Sequence, residues 1–288
     1  MELHQLRYAL AVVDEGTFTA AAAACFVAQP SLSHAIGTLE RELGVELFRR
    51  VGRRPTLTAA GEAFVPAARE VMRAIDTLRA EVDQVTGIVA GHLDLVTLPT
   101  LAVDPVTPLV GAFRKAHNGV TVRLAHPEST AALIERVRSG ESEIGITELP
   151  VTTPRLRAIP LGRQELVAIL PPGAAAPQRL DLATLAKRPI VTLPPGTSTR
   201  DMLDAAFDSA GAQPLIAVET DQREAVVPLV LAGAGTAVVP APMAEVARLQ
   251  GAGVVRLRPA LWRELGLIHR DATLSPAARA FIALARAQ

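Results

Sequence analysis

Apolar residues recur at helical spacing from the first turn of the chain. Leu3, Leu6, Leu10 and Val13 share one face, and Glu15-Gly16-Thr17 then ends that run and offers Thr17 as the cap of a second helix over 18–27. The second helix is almost entirely alanine, which lets neighbours approach it closely. Gln29-Pro30 opens a third, because proline suits the first helical turn, where its missing N–H costs nothing. Leu32, Ile36, Leu39 and Leu43 form its apolar stripe, and Gly44 terminates it. Residues 47–48 and 55–57 read as two strands around Arg49 to Arg54, a small hairpin with a basic tip. Thr58 then caps a long helix reaching about 85, in which Phe64, Ala68, Val71, Ile75, Leu78, Val82 and Val85 alternate spacings of four and three. That heptad seam, on a helix of roughly 28 residues and about 42 Å, cannot be buried against a small globule and predicts a partner helix, hence a dimer. Pro66 is expected to bend this helix.

From Gly91 onward the periodicity changes. Strands at 92–98, 121–125 and 143–147 alternate with helices at 105–117 and 130–139, the order that builds a parallel sheet covered by helices. A second set follows, with strands at 165–170, 190–193 and 215–219 and helices at 180–186 and 199–210. One strand from about Gly266 and a helix over 276–287 complete the chain. The uncharged run Ala225 to Ala244 is long enough to span a bilayer, but Pro228, Gly233, Gly235, Pro240 and Pro242 divide it into a buried helix, a turn and a buried strand. No membrane partner is predicted. Gly233-Ala234-Gly235 follows a helix and precedes a strand, the reverse of the order in a dinucleotide-binding loop.

Composition narrows the chemistry. The 288 residues carry 29 basic and 29 acidic side chains, which excludes indiscriminate coating of nucleic acid, while 49% hydrophobic residues exclude global disorder. A single cysteine excludes a disulfide framework and Cys-rich zinc modules. The start of the chain shows no secretory pattern, so a cytoplasmic location is expected. The six histidines show no metal-ligand spacing, and no nucleophile elbow or phosphate-binding loop is present. No metal, cofactor or catalytic activity is predicted. A small-molecule-binding protein or enzyme without a DNA role has only the generic α/β framework behind it.

The first sixty residues carry the sharper signal. Three short helices and a hairpin follow the winged helix-turn-helix plan. On the third helix, Pro30, Ser33, His34, Gly37, Thr38 and Arg41 lie opposite the apolar stripe, giving a polar face suited to a major groove. Gln29 and Ser31 stand at its start, Gln29 placed for bidentate contact with an adenine. This segment has six basic and six acidic residues, so its positive field depends on Arg49, Arg50, Arg53 and Arg54. If a dimer neutralises roughly six to eight phosphates, log affinity should fall with log salt at a slope of roughly −5 to −7.

The runs Thr17-Phe18-Thr19-Ala20-Ala21-Ala22, Val27-Ala28-Gln29-Pro30-Ser31-Leu32-Ser33, Leu39-Glu40-Arg41-Glu42-Leu43-Gly44-Val45-Glu46-Leu47-Phe48 and Leu57-Thr58-Ala59-Ala60-Gly61 resemble the DNA-binding domain of LysR-type transcriptional regulators. Length and order of elements extend the resemblance over the whole chain. It departs at Ala28, where relatives often have Ser or Thr, and at His34, where Arg is frequent. The resemblance implies an α/β protein with an N-terminal winged helix-turn-helix over 1–58 and a linker and dimerisation helix with hinge over 59–90. It then implies a two-subdomain effector module resembling periplasmic binding proteins, with subdomain I over 91–161 and 267–288 and subdomain II over 162–266. The implied partners are an interrupted palindromic operator in double-stranded DNA, a small-molecule effector, RNA polymerase, and further copies of the chain in a dimer of dimers.

An effector in the cleft between subdomains would meet hydroxyl-bearing segments at helix starts: Thr97, Pro99 and Thr100, then Ser129 and Thr130, then Thr197, Ser198, Thr199 and Arg200. Free N–H groups and hydroxyls favour an anion there, although ordinary capping explains the same residues. Cys25, just before the turn into the third helix, reads either as a small core residue or as a redox switch whose oxidation displaces that helix.

Overall fold

The computed structural model describes residues 1–51, 54–84, 91–127 and 129–287. Its N-terminal unit comprises α1 (Leu3–Glu15), α2 (Phe18–Ala24), α3 (Gln29–Leu43), β1 (Phe48–Val51), β2 (Arg54–Leu57) and α4 (Ala59–Gln84). Thr17 caps α2 by accepting the Ala20 N–H at 3.1 Å. Ala21 and Ala22 are fully buried against Val12, Leu32 and Ile36, the close approach that small side chains permit. Helix α2 is shorter than its apolar run because the chain turns at Cys25 to Val27. There the N–H groups of Phe26 and Val27 return to the carbonyls of Ala23 and Ala22, closing the helix with Phe26 at φ 56°.

Two side chains fix the hairpin to the helices. The Glu40 carboxylate accepts the N–H of Leu47 at 2.7 Å and of Phe48 at 3.2 Å, and the Thr58 hydroxyl donates to Glu46 O while accepting the Gly61 N–H. A Cβ at Gly61 would lie 2.2 Å from Leu47 O, so only glycine allows α4 to start this close to the hairpin. Three of the four arginines lie in the strands rather than between them. Arg49 and Arg50 belong to β1 and Arg54 to β2, opposite Thr56, Pro55 and Val51. Arg53, Val85 and the rest of the hinge at 86–90 lie outside the described residues, as do the side chains of Arg50 and Arg54.

The heptad seam of α4 divides. Ala68 is buried beneath Leu6, Leu10 and Val65 of its own chain, and Phe64 packs beside it. Val71, Leu78 and Val82 remain exposed and Ile75 is half-buried. The first two seam positions therefore anchor the reading head within the protomer, and the later ones keep an unpartnered apolar stripe.

The C-terminal module runs β3 (Gly91–Thr97), α5 (Pro99–Leu101), a π turn at Ala102–Val106, α6 (Thr107–Ala116), β4 (Val120–Ala125), α7 (Thr130–Arg138), β5 (Ile144–Leu149), β6 (Leu156–Leu170), β7 (Arg179–Asp181), α8 (Leu182–Ala186), β8 (Pro189–Thr192), α9 (Ser198–Ser209), β9 (Leu215–Glu219), α10 (Val226–Leu231), β10 (Ala237–Pro240), α11 (Ala241–Leu249), β11 (Gly253–Arg270) and α12 (Pro276–Arg286). The main sheet has the order β10-β6-β11-β5-β3-β4, with β7 alongside β11 and a separate parallel pair β8-β9. Around β3, β5 and the end of β11, Leu93, Ile144, Phe113 and Phe281 build one core. Around the start of β11, the end of β6 and β10, Leu166, Leu185 and Phe207 build a second, with Ile169, Val230 and Val239 on the sheet's other side.

Strands β6 and β11 pair antiparallel from Gly253 opposite Leu170 to Arg270 opposite Leu156, and so run through both cores. Sequence periodicity places the start of β6 at 165 and of β11 at 266, missing their outer halves. Residues 156–164 alternate irregularly between exposed and buried and contain Pro160 and Gly162, and their ladder partners lie about a hundred positions away. Helix α11 was also hidden, because Pro242 in the apolar run opens a helix rather than ending a strand. No helix among the described residues is long and apolar enough to cross a membrane.

Candidate nucleic-acid interface and ligand cavity

Helix α3 presents its polar face on the side away from Leu32, Ile36 and Leu39. Several of its groups are held by local bonds before any partner arrives. Gln29 Nε2 donates to Ser33 Oγ at 2.8 Å, the Thr38 hydroxyl donates to His34 O, and Arg41 donates to both Thr38 Oγ1 and Gly37 O. Pro30, Ser31, His34 and Thr38 line a shallow groove against His4 and Tyr8 of α1, and Arg49 is exposed on the adjoining strand. The helix start has no side-chain cap, since Ala28 offers no oxygen; Pro30 has no N–H to offer, and the Ser31 N–H returns to Ala28 O at 3.0 Å. Beside this face, Phe26 is 95% exposed, a feature that hydrophobic patterning does not reveal because it assigns apolar residues to the interior.

Cys25 packs partly against the Val12 and Leu32 core. Burial pushes its thiol above the usual range, with Arg7 opposing and Glu15 assisting more weakly. A raised pKa leaves less thiolate for oxidation chemistry.

A second site lies where the two cores meet. A cavity of about 530 Å³ opens between the segment at Pro99 and Thr100 and the start of α9, with Leu203, Val239 and Met243 supplying an apolar wall. Of the residues expected near a ligand, Pro99, Thr100, Thr199 and Arg200 line it. Others are elsewhere. Thr97 is 1% exposed within β3 and donates to Ile146 O at 3.2 Å. Ser129 caps α7 by accepting the Ala132 N–H, next to Thr130, and neither lines the cavity. Thr197 donates to Pro194 O at 2.9 Å, and the Ser198 hydroxyl donates to Glu148.

Thr199 differs from these neighbours: it is 7% exposed and its Oγ1 has no hydrogen-bond partner among the described residues. Arg200, the cation expected to hold an anion, is already neutralised by Asp204 at 2.8 Å and Glu219 at 3.1 Å, and donates to Leu193 O. Arg223 lines the cavity instead. It is half-buried, burial pushes its guanidinium pKa down, and it makes no ion pair among the described residues. Its position in the turn before α10 gives no helical or strand pattern by which sequence could single it out.

Behind the cavity, Arg263 of β11 is 2% exposed, and desolvation lowers its pKa against the opposing pull of Glu148. Its Nη1 donates to Glu148 at 2.8 Å and Thr100 Oγ1 at 3.1 Å, its Nε to Gln164, and Gln164 Nε2 donates in turn to Asp104 at 2.7 Å. This polar network joins both cores at the point where β6 and β11 cross between them.

Comparison with known proteins accords with this arrangement. Residues 3–62 match the model of the bacterial regulatory helix-turn-helix proteins of the lysR family, and residues 87–288 match the LysR substrate binding domain. The HTH-type transcriptional regulator IlvR of Caulobacter vibrioides is 30% identical, over 99% of this chain and 97% of that protein. The regulator CysB of Haemophilus influenzae is 31% identical over 86% of this chain and 77% of its own. Among solved structures, full-length OxyR from Pseudomonas aeruginosa superposes with a TM-score of 0.77 at 24% identity, covering 99% of this chain and 94% of that one. Full-length CbnR complexed with its target DNA gives 0.69 at 25% identity, covering 100% and 99%.

Proposed function

The chain belongs to the LysR family of bacterial transcriptional regulators, and on that premise we propose that its operator binding is set by a small anionic effector held between Thr100, Thr199 and Arg223. The observation that carries this reading is a buried hydroxyl without a partner and a half-buried cation lining one cavity. Among the described residues Thr199 Oγ1 is buried without a partner and the partly desolvated Arg223 guanidinium makes no ion pair, though Asp221 and Glu224 line the same cavity. A carboxylate satisfies both, while the apolar wall of Leu203, Val239 and Met243 suits a short carbon skeleton. The crossing strands β6 and β11 support the division into subdomain I over 91–161 and 267–288 and subdomain II over 162–266, with 59–90 as linker. A cleft between two such bodies couples occupancy to their relative position.

On the DNA side, α3 with Gln29, Pro30, Ser31, Ser33, His34, Thr38 and Arg41 enters the major groove, and the hairpin arginines meet the flanking backbone. The exposed stripe of α4 pairs two chains, and two such pairs occupy an interrupted palindrome. The protein works in the cytoplasm beside RNA polymerase and catalyses no reaction. The alternative of a redox-gated regulator acting through Cys25 receives no support from that thiol's raised pKa.

Two measurements test the reading. Gel shifts with the DNA upstream of the gene should show sequence-preferring, salt-sensitive binding; its absence at moderate salt rejects an operator. A thermal-shift screen of small carboxylic acids should find a ligand whose stabilisation is lost in Thr199→Ala and Arg223→Gln. Stabilisation that survives both substitutions rejects the pocket.

A further inference from the structure

The start of α9 already holds an anion supplied by the chain itself. Glu148, next to last in β5, accepts through Oε1 from Arg263 Nη1 at 2.8 Å and from the hydroxyl of Ser198, the first residue of α9. One carboxylate oxygen therefore ties together β5 of the first core, α9 of the second and the strand β11 that passes through both.

Three features make this more than a local hydrogen bond. Arg263 is 2% exposed, and Glu148 is its ion-pair partner among the described residues, so the guanidinium depends on a counter-charge contributed by the neighbouring strand β5, the same carboxylate that reaches Ser198 of α9. Thr100 belongs to both sites: it lines the cavity and accepts from the same Arg263 Nη1. Thr199, adjacent to Ser198, lines the cavity, and its buried Oγ1 has no hydrogen-bond partner among the described residues. An anion settling on Thr199 and the N–H groups at the start of α9 is thus brought beside the charge of Glu148, and the two carboxylates repel.

We propose that Glu148 is a built-in counter-anion that bolts the two subdomains together through Ser198 and Arg263, and that an anionic effector acts by competing with it for the start of α9. This rests on the cavity being the effector site, but its test needs no effector. Effector screening can fail while the bolt stands, and the bolt can fail while a ligand still binds at Thr199.

Chemical rescue of the full chain provides that test, with formate as the probe and chloride at equal ionic strength as the control. Glu148→Ala strands Arg263 without a counter-charge and should lower Tm by roughly 5–10 °C. Formate should then raise the Tm of the variant saturably, and leave the wild type, whose subsite is filled by Glu148, unchanged. An alanine variant as stable as the wild type overturns the proposal, as does equal stabilisation of both proteins by formate, or a loss of Tm that formate does not restore. Should the alanine variant not fold, Glu148→Gln keeps the shape and removes only the charge. It should also melt below the wild type, and equal melting temperatures overturn the proposal.

Discussion

Arg69, buried in α4, forms an ion pair with Asp14 near the end of α1 and also reaches Ser139 Oγ at 3.4 Å, so one guanidinium joins the reading head, the linker helix and the effector module. One turn further along, Arg73 donates to Gly140 O in the same loop after α7. A Cβ on Gly140 would fall 1.8 Å from Arg270 Nη1 and 2.6 Å from Arg73 Nη2, so the loop approaches α4 as closely as backbone allows. Because Asp14 stays half exposed, Arg69→Ala should cost about 1–2 kcal/mol rather than the roughly 3–5 of a fully buried pair. Scanning calorimetry should also resolve the unfolding of the head from that of the effector module. An unchanged single transition would show that the junction contributes nothing to coupling.

Leu78 and Val82 are each 63% exposed on α4, a poor position for two aliphatic side chains unless a second helix covers them. Changing both to Glu should leave the protomer folded and shift sedimentation towards a monomer. Operator affinity should then fall by on the order of 100-fold as bivalent binding is lost. A variant that sediments like the wild type would move the dimer interface elsewhere.

Phe26 adopts φ 56° at the turn between α2 and α3 while 95% of it is exposed. A left-handed backbone costs a side-chain-bearing residue about 1–2 kcal/mol, and glycine returns about 0.5–1 of that through the freedom of its unfolded chain. Phe26→Gly should therefore raise stability by about 0.5 kcal/mol in denaturant titration. A loss of stability instead would mean that the ring is packed.

For Cys25 the sign follows from its environment. Burial raises the thiol pKa, so near neutral pH the thiolate fraction lies below that of a free cysteine and increases only at higher pH. Alkylation by iodoacetamide should be slower than that of free cysteine, and peroxide should change operator affinity no more in the wild type than in Cys25→Ser. Peroxide sensitivity confined to the wild type would restore the redox-gated reading.

Local chemistry made much of the head legible. Thr17, Gly44 and Thr58 punctuate α1 to α4, and the stripe Leu32, Ile36, Leu39 gives α3 an inside and an outside, so its polar face follows from helical period alone. The effector module was less legible. Its helices and central strands have their own patterns, but the outer halves of β6 and β11 owe their conformation to each other, and nothing within either segment announces a ladder formed at such separation.

By itself the sequence determined a helix-turn-helix head, a heptad-bearing linker and an α/β module, because each depends on residues a few positions apart. Tertiary structure decided which charges remain available. Arg200, the cation that the sequence offers, is neutralised by Asp204 and Glu219, whereas Arg223 makes no ion pair among the described residues and Glu148 reaches the first residue of α9 from another strand. It also divided the α4 seam, turning Phe64 and Ala68 inward and leaving Leu78 and Val82 exposed. The reason is physical: periodicity encodes which face of an element is apolar, but neutralisation and coverage depend on groups brought together from distant positions in the chain.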